Sequence, residues 1–484
     1  MTDVKKELLT GAVWTSAAKY SNILVQLGVT AVLSRLLLPE DFGVVAVTTV
    51  IVSFFAIFSD LGIAPAIVQK KELTHDDLSR IFTFTLLSGG AVTVVFFLLS
   101  GAVAAYYDAP VLRTICRILC VNLLFAALNI VPGALLYKER RFRFIALRTL
   151  AVQFTAGAAA VAAAFAGAGV YALTVTPVVS SVVLFAVNYR QHPLPLRLPD
   201  KGSLGKVFSF SAYQFFFNIL NYFTRNLDKL LIGRYMGLTP LGYYEKSYRL
   251  MMLPLQQLTY AISPVMHPVF SDFRHNREAL SANYLRVVRL LAFIGFPLAA
   301  FLFFAAPELI LVIFGDQWLP SVPVFRILAL SVGVQIILST SGAIFQAADS
   351  TRMLFLSGLL SSVLNVAAIL TGIFLFGTLE AVAACIVLSF GVNFVQSYWL
   401  LYRRTLRLAW GPFWRQLLSP LLLTGISCIP LLLLSRWLAE GPLVLSLLCK
   451  GAAAAAVFAA YIQLSGEYDL LQKFRNLCKR QPGT

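Results

Sequence analysis

Charge is what this chain has least of. Charged residues make up 13% of its 484 residues, and acids are the scarcer kind, with 22 Asp and Glu against 39 Lys and Arg. Soluble globular chains carry about 25% charged and about 45–50% apolar residues, whereas this one is 59% hydrophobic. Neither a disordered chain nor a soluble multidomain enzyme fits that balance. Histidine is rarer still, at four. His75, His192 and His275 fall in loops and His267 near the end of an apolar run, with no metal-ligand spacing between any two. The six cysteines lie mostly inside apolar runs, so no disulfide or zinc framework is expected. Cys116 and Cys120 share a helix face and read as small apolar filler. Nor is a cleavable signal peptide expected: "MTDVKKELLTGAVWTSAAKY" shows no short apolar core with a small-residue cleavage site, so the first span is expected to be kept. No Ser/His/Asp or Cys/His arrangement emerges. "GAGVYA" (167–172) follows no strand and reads as a tight turn, not a dinucleotide site. The chain is not expected to be an enzyme or to hold a cofactor or metal.

What the chain has in excess is apolar sequence. Runs of roughly 20 residues, enough to cross a bilayer, recur from end to end. They predict an all-α integral membrane protein with about fourteen transmembrane helices. The spans are 10–36, 42–69, 80–107, 111–137, 145–166, 170–189, 207–235, 241–271, 284–314, 320–347, 353–376, 379–402, 413–438 and 443–464. The net charge of +17 then reads as topology, not as nucleic-acid binding. About two thirds of the Lys and Arg lie in the even-numbered connections and the two termini. "QKKELTHDDLSR" and "YKERRFRFIALR" contrast with "LLLPEDFG", "YYDAP" and "FGTLE" on the other side. Both termini are therefore expected in the cytoplasm. In the tail "GEYDLLQKFRNLCKR", Leu470, Leu471, Phe474 and Leu477 share one helical face, as in a segment lying on the inner leaflet.

The chain also repeats itself. A shift of 199 residues carries Arg35, Gly43 and Pro65 onto Arg234, Gly242 and Pro264. A shift of 209 carries "CRIL" (116–119) onto "FRIL" (325–328), Gly133 onto Gly342 and Arg143 onto Arg352. Two six-helix lobes of the same topology are expected, over 1–206 and 207–405, with 406–484 adding two further helices and the tail. An even number of spans per lobe makes this a parallel repeat, an architecture with its substrate site where the halves meet.

Polar residues interrupt the apolar pattern at matching places. Gln214, Asn218, Asn221, Arg225 and Asp228 are spaced to share one face of the seventh span. Thr15, Lys19, Asn22 and Gln26 do the same in the first, and the shift of 199 superposes all four on members of the other stripe. A charge at the bilayer centre costs about 2.5–3.5 kcal/mol on the insertion scale, so both stripes are expected to face protein or water. Asp228 is placed to pair with Arg225 at i, i−3, and Glu245 with Arg249 at i, i+4, leaving Lys246 to turn elsewhere. Lys19, Arg225, Lys229, Lys246 and Arg249 outnumber Asp228 and Glu245, giving a cationic cavity suited to phosphate or pyrophosphate. The candidate substrate contacts are Lys19, Asn22, Gln26, Asn218, Asn221, Arg225, Lys229, Lys246 and Arg249. Asp60, near the helix-breaking Gly62 and Pro65, and Asp228 are candidates for proton or sodium coupling. Pro65 and Pro264 mark candidate paired hinges.

Four stretches resemble one family: "LSRLLLPEDFGVVAV", "FFAIFSDLGIAPAIVQKKELT", "RNLDKLLIGRYMGLTPLGYYEKSYRLMMLPLQ" and "FGDQWLPSVPVFRILAL". Together, and in this order, they are similar to the Wzx-type polysaccharide flippases, nearest the branch of colanic-acid and teichuronic-acid exporters. These belong to the multidrug/oligosaccharidyl-lipid/polysaccharide exporter superfamily. The resemblance implies a V-shaped, MATE-like fold and alternating access in a bacterial cytoplasmic (inner) membrane. It implies an undecaprenyl-pyrophosphate-linked glycan as substrate, carried to the periplasmic leaflet for surface polysaccharide, with membrane lipids and a polymerase or export complex as partners. It places Lys19, Arg225 and Lys229 at the pyrophosphate or acidic sugars. The alternatives are a multidrug/cation antiporter, which favours an acidic cavity, and a membrane glycan polymerase, which needs a large outer loop that this chain lacks.

Overall fold

In lipid a backbone must satisfy its own polar groups, and apolar runs of about 20 residues do so by bonding within themselves as helices. The computed structural model describes residues 2–465 apart from 61, 71, 208–211, 272, 274 and 275. Side chains are described from 14 onward, except those of 206–218, 220, 221, 260–265, 267–269 and 271. Among these residues the fold is all helical. The expected C-terminal amphipathic segment lies outside the described residues.

The chain divides into two compact units, Met1–Glu245 and Lys246–Thr484. The first holds α1 (Thr2–Leu36), α2 (Pro39–Asp60), α3 (Ile63–Gln69), α4 (His75–Tyr106), α5 (Val111–Leu128) and α6 (Ile130–Lys138). It continues through α7 (Phe142–Phe165), α8 (Ala172–Gln191), α9 (Lys201–Val207), α10 (Ala212–Tyr235) and the first turns of α11 (Leu238–Ser271). The second holds the rest of α11, α12 (Arg277–Phe304), α13 (Ala306–Phe314), α14 (Ser321–Ala329), α15 (Val332–Leu338) and α16 (Ser341–Ala347). It ends with α17 (Thr351–Thr371), α18 (Leu379–Trp399), α19 (Gly411–Trp437) and α20 (Leu443–Ser465).

Ten helices among the described residues are long and apolar enough to cross a membrane, or eleven if the 45° bent pair Ser321–Ala329 and Val332–Ala347 is one span. This is a multi-pass membrane protein. The helices bearing the predicted polar stripes, α1 and α10, are not among the ten.

Several expected spans are broken. The second stops at Asp60 and restarts at Ile63, with Gly62 left-handed at φ 76°. That conformation suits a residue without Cβ. The fourth divides at Asn129 and the ninth at Ala305, three and two residues before Pro132 and Pro307. Neither proline can donate to the preceding turn, so each sits where a new helix starts. By contrast α11 runs on as helix through position 264, so the proposed proline hinges are not alike in the two halves.

Within the first unit, α1 lies along α7 and α4 along α5, while α10 packs on α2. α4 starts with a capping box: Asp77 Oδ2 accepts the Thr74 N–H at 3.0 Å and the Thr74 hydroxyl oxygen accepts the Asp77 N–H at 3.1 Å. The connection after α8 is held on that same end. Arg197 pairs with Asp76 at 2.7 Å, the Ser203 hydroxyl donates to Asp77 at 2.7 Å, and Leu194 is buried beside Phe82 and Leu128. In the second unit α12 packs against α15 and α19, and α20 against α19 and α13.

Candidate functional site

The two stripes sit on helices held in different ways. α1 is pressed onto α7, where a Cβ on Gly157 would lie 2.6 Å from Val29 Cγ2. This fixes its rotation. Along it Lys19 and Asn22 are half-buried and Gln26 is exposed. Lys19 makes a polar interaction, and among the described residues Asn22 Oδ1 is buried without a hydrogen-bond partner.

α10 is fixed on α2 by aromatic and polar contacts together. The Tyr222 hydroxyl donates to the Val50 carbonyl at 2.5 Å, and Phe223 packs on Phe54 with ring centroids 4.9 Å apart. The side chains of Asn218 and Asn221 lie outside the described residues. Arg225 is exposed. Asp228, only 5% exposed, accepts a hydrogen bond from the Tyr244 hydroxyl at 2.7 Å and not from Arg225. Lys229 pairs with Glu245 at 2.9 Å.

These partners differ from the intrahelical pairs expected from spacing. The cause is the antiparallel hairpin of α10 and α11, which turns at Met236–Gly237. Positions 229 and 245 each lie eight residues from Gly237 and meet across the turn. Glu245 is thereby taken from Arg249, which is exposed. Lys246, in the second unit, is 3% exposed, with Nζ 4.9 Å from the Phe314 ring centroid and 5.1 Å from that of Trp318. A cation over two rings is held by their quadrupoles. Asp60, the last residue of α2, is exposed at the helix break.

The expected equivalence of the second and eighth spans meets a reciprocal contact at their starts. A Cβ on Gly43 would lie 1.9 Å from the Leu238 carbonyl oxygen, and one on Gly242 2.0 Å from that of Pro39. The shift of 199 carries Gly43 onto Gly242 and Pro39 onto Leu238. The two contacts are therefore one contact made twice, as across a twofold axis.

Spacing within single helices missed three polar clusters. In the second unit Lys450, 2% exposed, forms a close ion pair with Glu308 and donates to the Phe304 carbonyl at 2.9 Å. The Ser446 hydroxyl also donates to Glu308, at 2.7 Å. The Tyr284 hydroxyl meets those of Thr340 at 3.0 Å and Tyr398 at 2.8 Å. In the first unit the Asn188 amide donates to Asn129 at 2.6 Å and accepts from Arg148. The signal for the first cluster was present: Lys450 stands alone in "LLCKGAAAA", and a lone lysine in a span needs a partner elsewhere.

The comparisons with known proteins agree with this architecture. The family model described as "Polysaccharide biosynthesis protein" matches residues 32–323. The teichuronic acid biosynthesis protein TuaB of Bacillus subtilis (strain 168) is 25% identical over 435 residues, covering 88% of each chain. The lipopolysaccharide biosynthesis protein WzxC of Escherichia coli (strain K12) is 24% identical over 441 residues, covering 89% of this chain and 87% of its own. Among solved structures, the lipid II flippase MurJ in an inward closed conformation aligns with a TM-score of 0.74 at 14% identity, over 95% of this chain and 100% of that one. An inward-facing multidrug transporter of the MATE family aligns at 0.61 and 15% identity, over 78% and 92%. At such identities the solved structures establish the fold alone. The family match spans more than half of the chain, which therefore belongs to the polysaccharide biosynthesis protein family, built on the fold that MurJ and MATE transporters share.

Proposed function

We propose that this protein is a flippase that carries undecaprenyl-pyrophosphate-linked oligosaccharide repeat units from the cytoplasmic to the outer leaflet for surface polysaccharide biosynthesis. It performs no chemical step. Membership of the polysaccharide biosynthesis family carries this reading, and the lipid-linked cargo named for MurJ supports it. In this account α1, α10 and α11 also cross the bilayer, which makes fourteen spans in a 1–206 lobe, a 207–405 lobe and a C-terminal pair followed by the tail at 406–484. Both termini lie in the cytoplasm of a bacterium, and the protein sits in its inner membrane beside a polymerase or export complex.

The cargo's phosphates are received by the polar stripes. Lys19, Asn22 and Gln26 contribute from α1, Asn218, Asn221 and Arg225 from α10, and Arg249 from α11. Arg225 leads, because it is exposed and its guanidinium suits two phosphate oxygens at once. Lys229 and Lys246 act with them once the Glu245 pair and the aromatic seat open. Asp228 and Asp60 are the candidates for coupling to a proton or sodium ion. A drug antiporter is less well supported, since cations dominate the stripes.

Deletion of the gene tests the proposal. Mass spectrometry of the undecaprenyl-linked pool is expected to show one complete repeat unit accumulating while one surface polysaccharide is lost. An unchanged lipid-linked pool and an unchanged surface glycan would contradict it.

A further inference from the structure

The reciprocal glycine contact joins two connections of the first unit, and its surroundings are built from the same connections. The turn between α10 and α11 lies against the turn between α1 and α2 and against the α4–α5 connection. Arg234 pairs with Asp108 at 2.6 Å and lies over the Tyr106 ring, with its guanidinium carbon 5.0 Å from the centroid. The Tyr107 hydroxyl donates to the Leu230 carbonyl at 3.2 Å. Beneath them Val47, Ile232 and Leu241 are fully buried. A cleft of about 410 Å³ opens beside the pair, lined by Glu40, Asp108, Arg234 and Thr239 among others, so the ion pair is reachable by water. All three connections are odd-numbered ones, poor in Lys and Arg beside the cytoplasmic set.

From this geometry we propose that the interlocked hairpins are an outer latch: Gly43 on Leu238 and Gly242 on Pro39 seal the exit end, and the Arg234–Asp108 pair holds the seal. It rests on the flippase reading for its purpose, since cargo can leave outward only when the hairpins part. The two kinds of contact have different jobs. The glycines allow backbone to meet backbone at two points between the hairpins. The ion pair is exposed, with Asp108 at 77%, and so is a weak and easily broken tie. A seal that must open at every cycle needs a tie of that strength.

The test uses Val47→Cys as a reporter in the full-length chain. Its position is fully buried, 3.0 Å from where a Cβ on Gly233 would lie. Labelling by a membrane-impermeant maleimide is read in right-side-out membranes, above the background of the native cysteines. The reporter alone is expected to be protected. Gly43→Ala or Gly242→Ala, added singly, is expected to raise its labelling roughly tenfold or more, as an overpacked contact springs open. Alanine favours helix over glycine, so lost helix propensity cannot produce that result. Arg234→Glu is expected to raise labelling about two- to fivefold, and Asp108→Lys with Arg234→Glu to restore protection. Protection in both glycine variants, with normal amounts in the membrane, would overturn the latch. If the glycine variants fail to reach the membrane, unchanged labelling in Arg234→Glu overturns it alone. Thiol labelling needs no cargo, so this outcome is separable from failure of the flippase reading.

Discussion

Arg225 and Lys229 stand one helical turn apart on α10, and the fold gives them different surroundings. Lys229 is neutralised by Glu245, while Arg225 is exposed. Replacing an exposed charge changes stability by about 0.5 kcal/mol or less, so a defect in Arg225→Ala reports function. With Arg225 on a cargo phosphate, as proposed, loss of that charge-assisted hydrogen bond predicts a roughly ten- to hundredfold fall in export, with normal protein in the membrane and partial retention in Arg225→Lys. Lys19→Ala is expected to behave likewise in the same export assay. Wild-type export in both alanine variants would remove the stripes from the mechanism. Spacing of i, i+3 and i, i+4 states which residues share a helix face, and of the α10 stripe the structure describes the side chains of Arg225, exposed, and Asp228, buried. Their partners were not legible. Spacing offered Asp228 to Arg225 and Glu245 to Arg249, whereas the hairpin brings Tyr244 and Lys229 instead. Partners across a turn depend on where the turn falls, and within-helix periodicity carries no such information.

At the scale of the element, the last helix is less of an appendage than its sequence suggests. α20 joins the second unit through Lys450, which holds Glu308 and the Phe304 carbonyl at the α12–α13 break. Removing one member of a buried pair leaves an uncompensated charge, at a cost of about 3–5 kcal/mol. Lys450→Met is therefore expected to lower the thermal midpoint in detergent sharply. Glu308→Leu combined with Lys450→Met is expected to recover most of it, because an apolar pair of similar volume is often neutral. A Lys450→Met protein as stable as the parent would show that the pair holds nothing. Helix type was legible throughout from long apolar runs. The breaks were harder to read, because Pro65, Pro132 and Pro307 all lie near helix starts while position 264 lies within continuous helix. A proline marks where a ladder bond is missing, and neighbouring packing decides whether the chain turns there.

For the whole molecule, the duplication was the most informative pattern. The shift of 199 relates two glycines and two carbonyls, and the structure joins them reciprocally. Chance similarity between unrelated helices gives no reason for such an exchange. Fold and family rest on separate ground, a model match over residues 32–323 and the MurJ and MATE alignments. What is carried is the central claim, and purified protein in sealed vesicles tests it most directly. Undecaprenyl-pyrophosphate oligosaccharide is placed in both leaflets, and an impermeant sugar-modifying enzyme reads the exposed share. With the protein present, the account predicts that the inner pool becomes accessible while vesicles remain sealed to the enzyme. If accessibility stops at the outer-leaflet share, as in protein-free vesicles, the account is contradicted.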